Sequence, residues 1–339
     1  MSQVTQVPQA MLYCGIDVSA ASLAVALQPL EGAVEQREFD NTTAGHRALI
    51  SWLVKRGLPV RVSLEATGVY SLDLALALDG AAGIEVAVLN PKVVNRFAQT
   101  LRRSKTDKAD AQVLAEYSQR MRFVAWRAPD RKALQLRTIS RHIDGLTVEQ
   151  TREKNRLHAA EGTGATPRCV IQDLKRSLAG LQRRIQRLRR EAMALIQAND
   201  TMRQQFELLA TVPGIAGISA LQLLSELAPL SPEMTVRQWV AHSGLDPLHQ
   251  ESGTSVHRPS RISRAGNRHL RRALYMPALV TIQHDPHMKA FYKLLLSRHK
   301  AKMQALIAVA RKLLHAIYGI FRSQTGYDGR KLFPDLLPQ

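Results

Sequence analysis

The sequence predicts a mixed α/β domain with a central sheet, followed by a longer and mostly helical region. Three observations carry this. Short apolar runs punctuated by turn residues fill the chain up to Asn90-Pro91. Beyond that point the strand signal stops and helical spacing takes over. Residues 171–195 then hold a heptad pattern in which apolar spacings alternate three and four without error.

The elements follow in order. Residues 11–17 (MLYCGID) read as a buried strand ending on an acid, and 23–28 and 33–39 as the next two strands, with Gly32 in the turn between them. Thr42 or Thr43 is placed to cap a helix reaching about Lys55, apolar at Leu49, Ile50, Trp52 and Leu53. Residues 60–64 form a fourth strand that delivers Glu65. A helix near 72–81 and a strand over 84–89 complete an α/β layer. Helical patterns follow over 106–120 and 131–160, and Glu161-Gly-Thr-Gly-Ala-Thr-Pro167 breaks the chain. The heptad positions Ile171, Leu174, Leu178, Leu181, Ile185, Leu188, Ala192 and Leu195 indicate an antiparallel or intermolecular coiled coil, or one amphipathic helix laid on a core. The last third reads as helical and closes on a long helix near 288–323. The domains expected are 1–125, 126–200 and 201–339.

Lys plus Arg number 47 against 28 Asp plus Glu, a net charge of +19. Such a chain favours a polyanion, because each neutralised phosphate releases counterions. A basic membrane-surface protein is the alternative, but no lipidation motif supports it. No apolar run approaches the ~18 residues needed to cross a bilayer, so no membrane partner is expected. Residues 1–10 lack the pattern of a signal peptide, which points to the cytoplasm. Two cysteines, Cys14 and Cys169, make neither a disulfide framework nor a zinc signature.

Asp17 and Glu65 fall at the ends of predicted strands, where an open α/β sheet can set two side chains over one crevice. Asp107 and Asp110 are three apart on a helix and share a face. Singly, each has an ordinary explanation as a turn or cap residue. Together, beside the basic Arg102-Arg103-Ser104-Lys105, they read as carboxylates able to hold two Mg²⁺ or Mn²⁺ ions ~4 Å apart. In that reading Arg102, Arg103 and Lys105 hold a nucleic-acid backbone.

From Ser252 to Arg272 there are six arginines and no acid. Arg258, Arg261, Arg264 and Arg268 suit bidentate phosphate contacts. A serine nucleophile needs activation, from arginine, metal or His257. Ser252, Thr254, Ser255, Ser260 and Ser263 all qualify, and a basic loop that only grips phosphate fits the residues as well. Val212-Pro-Gly-Ile-Ala-Gly217 resembles a helix-hairpin-helix turn or a plain helix connection. Arg183, Arg184 and Arg187 line the polar side of the heptad helix, either as a nucleic-acid track or as a solvated face.

Gly15-Ile-Asp-Val18, Leu64-Glu-Ala-Thr-Gly-Val-Tyr70, Lys105-Thr-Asp-Lys-Ala-Asp110, Val212-Pro-Gly214, Gly244-Leu-Asp-Pro247, Glu251-Ser-Gly-Thr-Ser255 and Leu274-Tyr-Met-Pro277 occur in that order. Together they resemble the transposases of the IS-one-ten insertion-sequence family, also called bridge-RNA-guided recombinases, over nearly the whole chain. The resemblance implies a RuvC-like, RNase H-type N-terminal domain with the acidic tetrad Asp17, Glu65, Asp107 and Asp110. It implies a coiled-coil linker and a C-terminal transposase domain whose nucleophile is Ser252. It further implies dimers and tetramers, in which the acids of one subunit serve the serine of another. The partners implied are donor and target double-stranded DNA and a structured noncoding guide RNA. The expected function is Mg-dependent strand exchange through a phosphoserine. Two alternatives stand beside it: a metal-only nuclease or junction resolvase that hydrolyses with water, and a non-catalytic RNA-binding protein.

Overall fold

The computed structural model describes residues 10–29, 32–66, 68, 70–101, 107–252 and 256–333, with the side chains of 107, 108 and 249–260 excepted. Arg102, Arg103 and Lys105 therefore lie outside the described residues. The chain divides into two compact units, 1–128 and 129–339.

In the first unit β1 (Leu12–Val18), β2 (Ser22–Gln28) and β3 (Glu35–Asp40) form an antiparallel meander. Helix α1 (Thr43–Val54) follows, capped by the Thr42 side chain, which accepts from the Gly45 N–H. Strand β4 (Val60–Glu65), helix α2 (Leu72–Asp79) and strand β5 (Ile84–Leu89) come next, both strands parallel to β1. The sheet order is β3-β2-β1-β4-β5. Alternate residues of the central strands, among them Ile16, Val25, Val62 and Leu64, are buried with Leu49 and Leu53 of α1 and Leu74 and Leu78 of α2. All five strands lie within two residues of where the sequence places them: β1, β2, β4 and β5 carry buried apolar runs, while β3 is mostly exposed and packs Phe39 against the core.

Helix α3 (Pro91–Leu101) is not expected from the sequence, in which Asn90-Pro91 marks the end of a strand. The same pair opens the helix. The Asn90 side chain accepts from the Lys92 N–H, and proline sits first, where its missing N–H costs nothing. Helix α4 (Asp107–Arg120) completes the unit.

The second unit begins with α5 (Arg131–Glu161) and α6 (Arg168–Gln197), joined by the predicted break. They run antiparallel. Lys175 pairs with Glu161 at 2.8 Å near the turn, and the Lys132 ammonium donates to the Ala198 carbonyl at the other end. The heptad stripe meets α5 within the same chain, with Ile185 buried against Ile143 and Leu146. At the base of the hairpin Leu136, Ala192 and Ile196 enter the main core, so this stretch is both a helix pair and part of a globular body.

Then come α7 (Asp200–Ala210), α8 (Gly217–Leu227) and α9 (Val236–Ser243). The turn between α7 and α8 holds Gly214 at φ +90°, where a Cβ would lie 2.8 Å from the Pro277 carbonyl oxygen. That glycine is required by close packing onto α10 (Arg268–His284).

Residues 247–262, expected to be a loop in a helical region, form a two-stranded antiparallel hairpin, β6 (Pro247–Ser252) and β7 (Val256–Ile262). The single closing helix expected over 288–323 is two, α11 (Pro286–Ser297) and α12 (Lys302–Ser323). His299, in the left-handed region at φ 57°, turns the chain between them. Helix α12, although Arg311, Lys312 and His315 interrupt its apolar residues, is long and apolar enough to cross a membrane by length and composition. Half of that window is buried, and Val309, Leu313, Leu314 and Ile317 belong to the core of this unit.

Candidate active site

Strands β1 and β4 are adjacent and parallel, with Gly15 opposite Ser63 and Ile16 opposite Leu64. One step further along stand Asp17 and Glu65, so two carboxylates leave neighbouring strands side by side. Both are half-buried. Their face is set by alternation. A Cβ on Gly15 would come 2.0 Å from the Ala111 carbonyl oxygen and 2.4 Å from the Ala115 nitrogen, so α4 lies directly on that glycine. The Ser63 hydroxyl hydrogen-bonds Ser118 of α4 at 2.5 Å. Asp17 and Glu65, two residues beyond Gly15 and Ser63, therefore face the α4 side of the sheet.

The bed under α4 is made of small residues: Gly15, Ala26, Ser63 and Ala87 on the strands, and Ala111, Ala115 and Ser118 on the helix, all buried. Small side chains let helix and sheet backbones approach closely. Asp107 and Asp110 lie in the first turn of α4, four residues before Ala111 and Leu114. Asp17 and Glu65 thus share the α4 side of the sheet, and Asp110 lies on α4 itself, one residue before the Ala111 that meets Gly15. The Asp107 side chain is outside the described residues. The donors are all carboxylate oxygens, hard ligands that suit Mg²⁺ or Mn²⁺. Among the described residues no three His, Cys, Asp or Glu side chains are already gathered as a metal site.

Ser252 is the last residue of β6 and pairs with Val256 across the hairpin. Arg261 is exposed near the base of β7, Arg264 is exposed at φ 52° just after it, and Arg268 is exposed at the start of α10. The Arg258 side chain is outside the described residues. Arg183, Arg184 and Arg187 are exposed along α6. The acids thus belong to the first unit and Ser252 to the second.

Comparison with known proteins covers both. Residues 14–160 match the DEDD transposase model of the IS110 type, described as a transposase, and residues 206–293 match the transposases of the IS116/IS110/IS902 family. The chain belongs to the IS110 family of transposases. It is therefore an enzyme acting on DNA. This transposase is 28% identical over 328 residues to the pilin gene-inverting protein of Moraxella bovis, covering 94% of the chain and 98% of that protein. It is 29% identical over 169 residues to an uncharacterised 43.6 kDa protein of insertion element IS110 in Streptomyces coelicolor, over 50% of the chain and 40% of that protein. A transposase for element IS1328 of Yersinia enterocolitica is 26% identical over 227 residues, 59% of the chain and 65% of that protein. The first matched segment holds Asp17, Glu65, Asp107 and Asp110, and the second holds Ser252.

Beneath the serine hairpin, the transposase carries a polar network that the sequence reading missed. Glu226 of α8 is 3% exposed. It accepts from Arg141 Nε at 2.7 Å and Nη2 at 2.8 Å, and from Asn267 Nδ2 at 2.6 Å. Burial pushes its carboxyl up, but hydrogen bonds from Arg141 and Asn267 and the charges of Arg141 and His269 outweigh this and hold it below the usual carboxylate range. Nearby, Asp144 accepts from Gln222 at 2.7 Å and faces His269 at 3.6 Å. Asn267 Nδ2 also faces His242 Nε2 at 3.4 Å. Because that amide donates, the imidazole nitrogen there is the acceptor and unprotonated. Burial, then Arg137 and Arg141, lower the His242 pKa against the pull of Glu226. The missed signal is a lone acid within the apolar run 220–230.

Proposed function

We propose that this transposase is an RNA-guided DNA recombinase that excises and integrates its own insertion sequence through a phosphoserine. The observation that carries the reading is the pair of carboxylates on adjacent parallel strands, covered by a helix bearing two more acids. The sheet order, with β2 antiparallel and β4 and β5 parallel to β1, supports a RuvC-like, RNase H-type domain. Asp17, Glu65, Asp107 and Asp110 would hold Mg²⁺ or Mn²⁺, which would offset phosphate charge when bound. Ser252 Oγ attacks the DNA phosphorus. Its bond to phosphorus forms as the P–O3′ bond breaks, the serine proton is lost and the 3′-oxygen gains one. The 3′-hydroxyl of the other duplex then attacks the phosphoserine and releases Ser252. One phosphodiester replaces another, so no nucleotide triphosphate is consumed.

In this reading 1–125 supplies the acids, 126–200 the helical linker and 201–339 the serine. A structured noncoding RNA pairs with donor and target DNA while the protein holds backbones. Exposed Arg183, Arg184, Arg187, Arg261, Arg264 and Arg268 suit that role, with Arg102, Arg103, Lys105 and Arg258. The protein works in the cytoplasm as a dimer or tetramer. The name of the Moraxella relative, a gene-inverting protein, supports strand exchange over simple hydrolysis.

The test is a denaturing gel of protein, RNA from the noncoding flank, labelled donor and target DNA, and Mg²⁺. A labelled protein–DNA adduct is expected with the wild type and not with Ser252→Ala. Cut DNA without an adduct at any time point would assign the acids to a water-using nuclease instead.

A further inference from the structure

Ser252 stands at the end of a thin two-stranded arm. At about 3.4 Å per residue, the path from Pro247 to Ser252 is on the order of 17 Å. A tilt of about 10° at the base moves its end by roughly 3 Å, whereas catalytic geometry tolerates about 0.5 Å. Whatever fixes the base decides where the serine is.

The chain entering β6 and the chain leaving β7 are laced together below the arm. The Ser263 N–H donates to the Asp246 carbonyl at 2.9 Å, and its hydroxyl to the Asp246 carboxylate at 2.5 Å. The Arg264 N–H donates to the Gly244 carbonyl, and the Asn267 N–H to the His242 carbonyl at 2.7 Å. Two glycines permit this approach. A Cβ on Gly244 would lie 2.5 Å from the Ala265 oxygen, and one on Gly266 2.2 Å from the His242 oxygen. Asn267 ties these strands of chain to the core. Its Oδ1 caps α10 by accepting from the His269 and Leu270 N–H groups, which fixes Nδ2 as the donor to buried Glu226.

We propose that Glu226, Arg141 and Asn267 form a clamp that sets the direction of the β6–β7 arm and so positions Ser252; the last step rests on the reading of Ser252 as the nucleophile. None of the three is a catalytic residue. They are positioning residues, acting through the stems of the arm.

The test separates the cap from the clamp. Asn267→Ser keeps a helix-capping oxygen but loses the amide that reaches Glu226. Hydrogen exchange of the full-length protein should then be about tenfold faster at the amides of 246–252 and 256–263, with α8 and α12 unchanged. The serine–DNA adduct should form about tenfold more slowly at equal DNA affinity. Asn267→Ala, which loses the cap as well, should be worse in both. The proposal is overturned if Asn267→Ser exchanges like the wild type, or if exchange rises equally in the arm, α8 and α12. If the arm loosens but even the wild type forms no adduct at Ser252, the clamp stands and the nucleophile assignment fails.

Discussion

The two matched regions hold their candidate groups in opposite ways. Asp17 and Glu65 rise from central strands of a sheet covered on both faces, and their positions follow from strand register and the depth of one glycine. Ser252 stands at the end of a two-stranded arm fixed by hydrogen bonds at its base. Rigidity in the first case comes from close packing of α4 on the strands. In the second it comes from polar groups whose charge state matters. Perturbing the sheet should therefore cost stability, and perturbing the arm should cost geometry.

The largest expected effect is at Gly15. Gly15→Ala places a methyl against the α4 backbone, which should lower unfolding free energy by about 3 kcal/mol in a denaturant titration and abolish strand cleavage. Gly266→Ala meets the His242 carbonyl and needs an unfavourable φ of +117°, yet its damage should concentrate in exchange of the arm. Equal loss of global stability in both variants would break the comparison.

Next is Asp17→Asn, which should cut strand cleavage by about 10³-fold while leaving melting temperature and DNA affinity near wild type. Arg141→Met leaves the Glu226 carboxylate buried without its main partner. Because Arg141 is itself 41% exposed, the cost should be about 2 kcal/mol rather than that of a fully buried pair, read by thermal melting.

The smallest effect is in pH. The folded pKa of His242 lies below its unfolded value, so between the two the unfolded chain binds more protons and stability falls as pH drops below about 6.5. His46 and His315 are lowered too and add to the slope. Replacing His242 by Gln should flatten part of it in urea titrations. Glu226, lowered as well, contributes stability that is lost only as pH falls below the ordinary carboxylate range.

The same contrast explains what the sequence revealed. Four of the five strands were legible as buried apolar runs and β3 as a short segment after the Gly32 turn, and Asp17 and Glu65 were legible as acids ending two of those runs. The arm was not, since Pro247-Leu-His-Gln-Glu-Ser252 and Val256-His-Arg-Pro-Ser-Arg-Ile262 show no apolar alternation of the kind a covered strand carries. Helix α3 was hidden because Asn-Pro both ends extended chain and starts a helix. The break between α11 and α12 contains neither Gly nor Pro, so it left no local mark. The Glu226 network depends on partners more than forty residues away in sequence, at Arg141, 85 residues off, and Asn267, 41 residues off. No local pattern encodes such pairings.

Sequence chemistry also left five hydroxyls competing for one role, at Ser252, Thr254, Ser255, Ser260 and Ser263. Peptide mass spectrometry of the trapped protein–DNA adduct decides among them. A DNA phosphate is expected on Ser252 in the wild type, none there in Asp17→Asn, and no shift of the modification to a neighbouring hydroxyl in Ser252→Ala. Modification at Thr254, Ser255, Ser260 or Ser263, or cleaved DNA with every one of these hydroxyls unmodified throughout the reaction, would contradict it.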